Sequence, residues 1–263
     1  MNNIVTPFYL QAESTEHFDR LAFSRMRFGV RADVNAFARR LATSLEIRGF
    51  DDNTIIAAVQ HDSLTPAGLL LAHETVEIIN EARDLPIDFV TILQTGIAPL
   101  DYTQLSEEER RQYFGQIHYG LGDNHINGRS VILIDDIRVT GGHEEAARAF
   151  LGSRSDHLTF GYAVVLQGSA SPRIEQDLTM AAVRSPKDLL PLMMSRSFTV
   201  TSKLCNYILS CTNVGDLIWL LRSLPNALFE EVYRSVFHSI YWVDSKVYVN
   251  KNVIEKEFQS RVF

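Results

Sequence analysis

Two adjacent acids, Asp135 and Asp136, follow the aliphatic run Val131–Ile134, and the turn Thr140-Gly141-Gly142 comes after three intervening residues. Four aliphatic residues in a row suit a strand buried on both faces. Two carboxylates are too costly to bury without partners, so they belong at the exposed C-terminal edge of that strand. Glycine permits positive φ and lets a ligand approach the amides closely. A helix starting near His143 then offers N–H groups and the positive end of its dipole to an anion. One short segment thus presents hydroxyl-gripping carboxylates and an anion nest. A ribose 5-phosphate, with hydroxyls at one end and a phosphate at the other, matches both. Two other readings of the acid pair stay open: direct binding of a divalent metal, or the capping of a turn.

The elements that would position this segment alternate. Thr54–Gln60 has the composition of a buried strand, "HDSLTP" is turn material, and Pro66 can begin a helix over Ala67–Ala82. Ile87–Leu93 is a second strand, and a long polar segment runs from Gln94 to Arg129. "SVILID" is a third strand, "HEEAARAFLG" a helix and Leu158–Gln167 a fourth strand. Strands alternating with helices imply a mostly parallel sheet with helices on its faces, so an α/β fold. Right-handed crossovers bring the strand C-terminal ends to one edge, where ligands bind. The first fifty residues read as helical: Ser14 with His17 and Phe18 opens one helix, and Val34, Phe37, Ala38, Leu41 and Leu45 recur at helical spacing in a second. From about Ser171 onward the pattern is helical again, with apolar stripes that are mostly core packing. The resulting division is an N-terminal helical segment over 1–49, a core over 50–170 and a helical C-terminal cap over 171–263.

Composition narrows the function. The 263 residues carry a net charge of −7, with 46% apolar and 22% charged residues. A nucleic-acid partner usually demands a basic surplus, so none is expected. Cys205 and Cys211 cannot make a disulfide framework, and the N-terminal stretch lacks a signal-peptide pattern. A reduced, cytoplasmic setting is the simplest reading. No apolar stretch is long enough to span a membrane. His61, His118, His125 and His157 show no metal-ligand spacing. Neither a dinucleotide Gly-x-Gly-x-x-Gly nor a hydrolase Gly-x-Ser-x-Gly is present.

Val131 to His143 resembles the thirteen-residue signature of type I phosphoribosyltransferases: four aliphatic residues, two acids, an aliphatic, two variable positions, Thr-Gly, a variable position, and Thr or Ser. His143 is the one departure, standing where the family has a hydroxyl. The resemblance extends over roughly residues 54 to 168 and implies a Rossmann-like, phosphoribosyltransferase-like core. It implies that Asp135 and Asp136 hold the ribose hydroxyls of phosphoribosyl pyrophosphate (PRPP). Arg138, Val139, Thr140, Gly141, Gly142 and His143 would hold the 5-phosphate. The pyrophosphate loop would be His61, Asp62, Ser63, Leu64 and Thr65, although it lacks the family's Arg, Lys or Gly, so counter-charge must come from elsewhere. Gln94–Arg129, with Arg110 and Arg111, sits where the family has a loop that closes over the site. "SRMRFGVRADVNAFARRLA", "LIDDIRVTGGHEE" and "DLIWLLRSLPNALFEEVYRSV" also resemble phosphoribosyltransferase-like proteins encoded with bacterial tellurite-resistance gene clusters.

The implied activity is transfer of ribose 5-phosphate from PRPP to a base or other small acceptor. Mg²⁺ would be carried by PRPP, with no metal ligated directly by the chain. Small molecules are the expected partners, and homodimerisation is left open. A non-catalytic PRPP or nucleotide sensor of the same fold is the rival reading, and a metal-dependent phosphotransferase a third. Arg138 contacts phosphate or pairs with an acid. Arg25, Arg27 and Arg31 are surface arginines beside buried Phe23 and Phe28, or one of them folds over the sheet edge toward pyrophosphate.

Overall fold

The computed structural model describes residues 3–10, 18–61, 64–95, 117–122, 125–167, 172–237 and 245–262. Asp62, Ser63, Ser14, His17, Arg110 and Arg111 lie outside the described residues.

A seven-stranded sheet forms the centre. Its strands are β1 (Ile4–Val5), β2 (Tyr9–Leu10), β3 (Thr54–His61), β4 (Asp88–Thr95), β5 (His118–Gly120), β6 (Arg129–Arg138) and β7 (Ser155–Leu166). The order is β1-β7-β6-β3-β4-β5, with β2 also on β7, and among the described strands only the β4–β5 pair is antiparallel. The expected mostly parallel α/β fold is the observed one. The expectation of a wholly helical first fifty residues is corrected: Ile4–Val5 and Tyr9–Leu10 pair with β7, at Phe160–Gly161 and Val165–Leu166. Two-residue strands are too short to show a period of two, so the sequence pattern hides them.

Among the described residues the helices are α1 (Arg20–Phe28), α2 (Arg31–Arg48), α3 (Ala67–Glu81), α4 (Gly142–Leu151), α5 (Pro172–Thr179), α6 (Pro186–Met193), α7 (Ser202–Ser210), α8 (Val214–Ser223), α9 (Asn226–Phe237) and α10 (Ser245–Val262). Asp19 opens α1, its carboxylate accepting from Ala22 N–H at 2.9 Å, which satisfies one of the first-turn donors. Alternation along the strands builds two cores. Ile56, Ala58, Ile132 and Ile134 pack with Phe23, Leu41 and Leu71 of α1–α3. Ile55, Ala57, Val131 and Leu133 pack with Ala147 and Leu151 of α4. Both faces are covered, which is why the strand sequences are continuously apolar. The C-terminal helices make a third core around Leu204, Leu217, Leu220 and Phe229, and it reaches the sheet edge through Phe28 and Leu64. Among the described residues no helix is long and apolar enough to cross a membrane.

The topology fixes where a crevice opens. From β3 the chain crosses through α3 to β4 on one side, yet β6 lies on the other side of β3. The C-terminal ends of β3 and β6 therefore flank a switch point, the usual ligand crevice of such sheets. Gly68 in the first turn of α3 lets that helix press against β6: a Cβ there would lie 2.5 Å from Asp135 Oδ1 and 3.1 Å from Asp135 Cα. Gly68→Ala should overpack this junction and cost about 1–3 kcal/mol, measured by urea denaturation. A change within ~0.5 kcal/mol would show that α3 can step back from the strand.

Candidate functional site

One cavity lies at that switch point, lined by β3, β6, α3, α4, α5 and α7. Asp135, Asp136, Arg138, Val139, Thr140, Gly141, Gly142, His143, His61 and Leu64 all line it. The segment singled out by its residue types is thus gathered around a single space. Thr65 does something else: its carbonyl accepts from Ser202 N–H at 3.0 Å, and it forms an isolated parallel bridge with Thr201. The polar segment between the second and third core strands contributes Tyr119, on β5, to the cavity wall.

The two acids lie in different surroundings because successive strand residues face opposite sides. Asp136 turns toward α1 and is only 6% exposed. The expectation that both carboxylates sit exposed at the strand end is corrected here: Asp136 is buried because it is paired. Arg27 Nε donates to Asp136 Oδ2 at 2.7 Å, and its Nη2 reaches Glu175 Oε1 at 2.9 Å. Arg27 Nη1 also donates to Thr179 Oγ1. This guanidinium is 2% exposed. Arg27 departs from the surface reading: it is buried and meets a carboxylate at the sheet edge. Arg25 pairs with Asp33 at 2.9 Å and Arg31 with Glu74 at 2.6 Å.

Asp135 is about one-third exposed in its side chain and faces His143, Nδ1 to Oδ2 at 3.5 Å. Burial by itself would raise the Asp135 carboxyl. The His143 contact, the Asp136 N–H at 2.8 Å and the charge of Arg27 outweigh burial and hold it below the ordinary carboxylate range. Burial pushes Asp136 up to about 6, with Arg27 opposing and Asp135 adding to the rise. Burial also pushes the His61 imidazole down to about 4, aided by His143 and Lys203, so His61 is neutral at pH 7. Tyr162, on the cavity wall, is driven upward by burial and stays a phenol.

The turn that leads into α4 is built on a left-handed glycine. Gly141 is the N-cap of α4 with φ +86°, a left-handed conformation that favours glycine. Its carbonyl accepts from Glu145 N–H at 2.9 Å, so the helix begins at once. Arg138 folds back over this turn and pairs with Glu144 at 2.7 Å, while Arg148 takes the other Glu144 oxygen at 3.1 Å. Of its two sequence readings, pairing with an acid is the one observed.

Several cavity residues had escaped the sequence reading. Ser202, Lys203 and Asn206 come from α7, which was read as a packing stripe. That reading holds for Leu204, Cys205, Ile208 and Leu209, all fully buried. The polar residues occupy the opposite face at the complementary 3–4 spacing, which is the signal that could have found them. The Oδ1 atom of Asn206 is buried without a hydrogen-bond partner, an unusual state for an amide oxygen beside a cavity. Glu175 carried no sequence signal at all.

Comparison with known proteins follows this geometry. The profile of a family described as PRTase ComF-like matches residues 1–254. No curated protein matches the chain. Among solved structures, the chain is similar to a hypoxanthine phosphoribosyltransferase from Staphylococcus aureus, at 13% identity and a TM-score of 0.38, over 52% of this chain and 74% of that one. It is also similar to the adenine phosphoribosyltransferase of Thermoanaerobacter pseudethanolicus, at 18% identity and a TM-score of 0.32, over 52% and 79% of the two chains.

Removing one partner of a buried ion pair strands the other charge. Arg27→Met should therefore cost about 3–5 kcal/mol of unfolding free energy in urea denaturation. A loss below ~1 kcal/mol would mean that Asp136 and Glu175 find other partners.

Proposed function

From the chain's membership of the ComF-like phosphoribosyltransferase family, we propose that the cavity binds PRPP and that the chain transfers its ribose 5-phosphate to a small acceptor, releasing pyrophosphate. The observation that carries this reading is the convergence of Asp135, the 139–143 turn and the start of the loop after β3 on one space. The turn amides and the dipole of α4 hold the 5-phosphate. Asp135, held ionised, accepts hydrogen bonds from the ribose hydroxyls. Asp136 commits Oδ2 to Arg27 and keeps Oδ1 and its charge for the sugar.

Ionic balance supports a ligand that arrives partly neutralised. Among the described lining residues four carboxylates, Asp135, Asp136, Glu144 and Glu175, stand against three cations, Arg27, Arg138 and Lys203. A bare pyrophosphate would meet no net positive charge there. Mg²⁺ enters as part of the substrate, its charge offset against the leaving group. Asp135 and Asp136 also place negative charge beside C1, where a glycosyl centre becomes cationic as the pyrophosphate bond loosens. The chain's own contribution is then positioning and electrostatic support, not a covalent intermediate.

A second reading, binding of PRPP or a nucleotide as a regulatory signal without transfer, is favoured by one feature: Asp136 is already engaged by Arg27. Pyrophosphate release across a panel of acceptors distinguishes the two, with binding and no release favouring the regulatory role.

Asp135→Asn keeps the side chain's shape and loses its charge. It should weaken PRPP binding about 10- to 100-fold in titration calorimetry with Mg²⁺ present. Unchanged affinity would remove Asp135 from the site. Affinity should also fall as pH drops through about 6, where Asp136 gains its proton. Stability moves the other way for this group. Its folded-state value lies above the unfolded one, so its contribution to stability is present at low pH and lost as pH rises through about 6. PRPP titrations between pH 5 and 8, on the order of one unit apart, check the binding limb, and an affinity that rises toward pH 5 would contradict it.

A further inference from the structure

Transfer needs two ligands in the cavity, and Asp135, Asp136 and the 139–143 turn, all from β6 and the start of α4, serve only the sugar phosphate. We propose that Asn206, on α7, is the specificity residue for the acceptor: it takes a hydrogen bond from an acceptor that is neutral and carries an N–H beside a carbonyl, as a cyclic amide does. This rests on the reading of the cavity as a PRPP site.

The observation is the side-chain oxygen of Asn206. Its Oδ1 is buried, and among the described residues nothing donates to it, although Asn206 lines the cavity. A buried amide oxygen without a donor is costly to the fold, and buried polar groups are otherwise almost always partnered. Helical spacing sets the residue on the cavity side. Asn206 lies one turn beyond Ser202, which also lines the cavity, while Leu204, Cys205, Ile208 and Leu209 pack into the C-terminal core. The first turn of α7 is pinned on two sides. Thr201 Oγ1 accepts from Leu204 N–H at 3.3 Å and donates to Arg27 O at 3.0 Å, and Ser202 N–H donates to Thr65 O at 3.0 Å. The helix is therefore held from rolling Asn206 out of the wall. The terminal amide torsion is soft, and turning it toward the cavity breaks no bond at Oδ1.

What can satisfy this oxygen follows from its chemistry. An amide oxygen only accepts hydrogen bonds. The ionised oxygens of the 5-phosphate and the pyrophosphate are acceptors too, so neither can serve it. PRPP's donors are its ribose hydroxyls, and the proposed reading gives those to Asp135 and Asp136. The component left to bring a donor is the acceptor. The N–H2 group beside the oxygen donates, so the Asn206 amide matches an N–H and its neighbouring carbonyl together. Asn206 brings no charge, and an anionic acceptor would find nothing in it to pair with.

The test uses the full chain loaded with ribose 5-phosphate and Mg²⁺. This sugar has no pyrophosphate to release, so binding of an acceptor is read at equilibrium. The probes are uracil and hypoxanthine, each with a ring N–H beside a carbonyl, and pyrimidine and purine, the same rings without that pair. In titration calorimetry the wild-type chain should bind at least one cyclic amide about 10- to 100-fold more tightly than its counterpart. Asn206→Leu, of similar shape and without polar atoms, should bring that ratio within about twofold and leave PRPP affinity within about twofold. It should melt no lower than wild type, because it removes an unsatisfied oxygen. Asn206→Gln keeps the amide and should retain part of the preference. A lower melting temperature for Asn206→Leu would make Asn206 a structural residue, and a fall in PRPP affinity would make it part of the PRPP site; either result overturns the proposal. So would a wild-type chain that binds PRPP and shows no preference within either pair. A wild-type chain that binds no PRPP would instead sink the reading of the cavity, and the role of Asn206 with it.

Discussion

The ion pair between Arg27 and Asp136 is the constraint on which the site depends. A carboxylate at 6% exposure is tenable only with a partner, and burial still lifts it to about 6. Arg27 in turn needs Glu175 and Thr179, because a single carboxylate satisfies only part of a guanidinium fork. The consequence is architectural. α1 comes from the N-terminal part of the chain, β6 from the sheet and α5 from the C-terminal part, and one buried cation ties all three together. The C-terminal helices cannot shift relative to the sheet edge without disturbing a carboxylate at its centre.

The division of labour between neighbouring acids follows from the pleat. Asp136 faces α1 and is spent largely on holding the fold. Asp135 faces the cavity beside His143 and keeps its exposure. Adjacent aspartates look equivalent in a sequence, but alternation across a strand makes them opposites. His143 stands where the resembling signature has a hydroxyl, and its contact is with Asp135 at 3.5 Å. The departure from the signature therefore falls on the cavity-facing acid.

Much of the sheet was legible because a strand buried on both faces must be continuously apolar. Thr54–His61 and Arg129–Arg138 announce themselves in that way. The glycine turn was legible too, since Gly141 sits at φ +86° and opens a helix. What stayed hidden shares one physical trait: it depends on contacts far apart in sequence. Arg27 and Asp136 are 109 residues apart, and Arg27 and Glu175 148. No local periodicity carries such a pairing. The paired strands at Ile4–Val5 and Tyr9–Leu10 are likewise decided by β7, not by their own two residues. The polar face of α7 lay between these cases: its spacing was visible, but which way it would point was set by the stitch to Thr65.

That stitch also bears on how a cavity with more carboxylates than cations could serve a polyanion. Net Coulomb attraction is unavailable, so the anion contacts must be local and directional. Under the proposed reading the backbone amides at the start of α4 serve one end, because such dipoles bind phosphate without adding formal charge. At the other end the loop after β3 has no lysine or arginine. The surplus carboxylates then have a use. They pair with Arg27 and Arg138 and fix the frame.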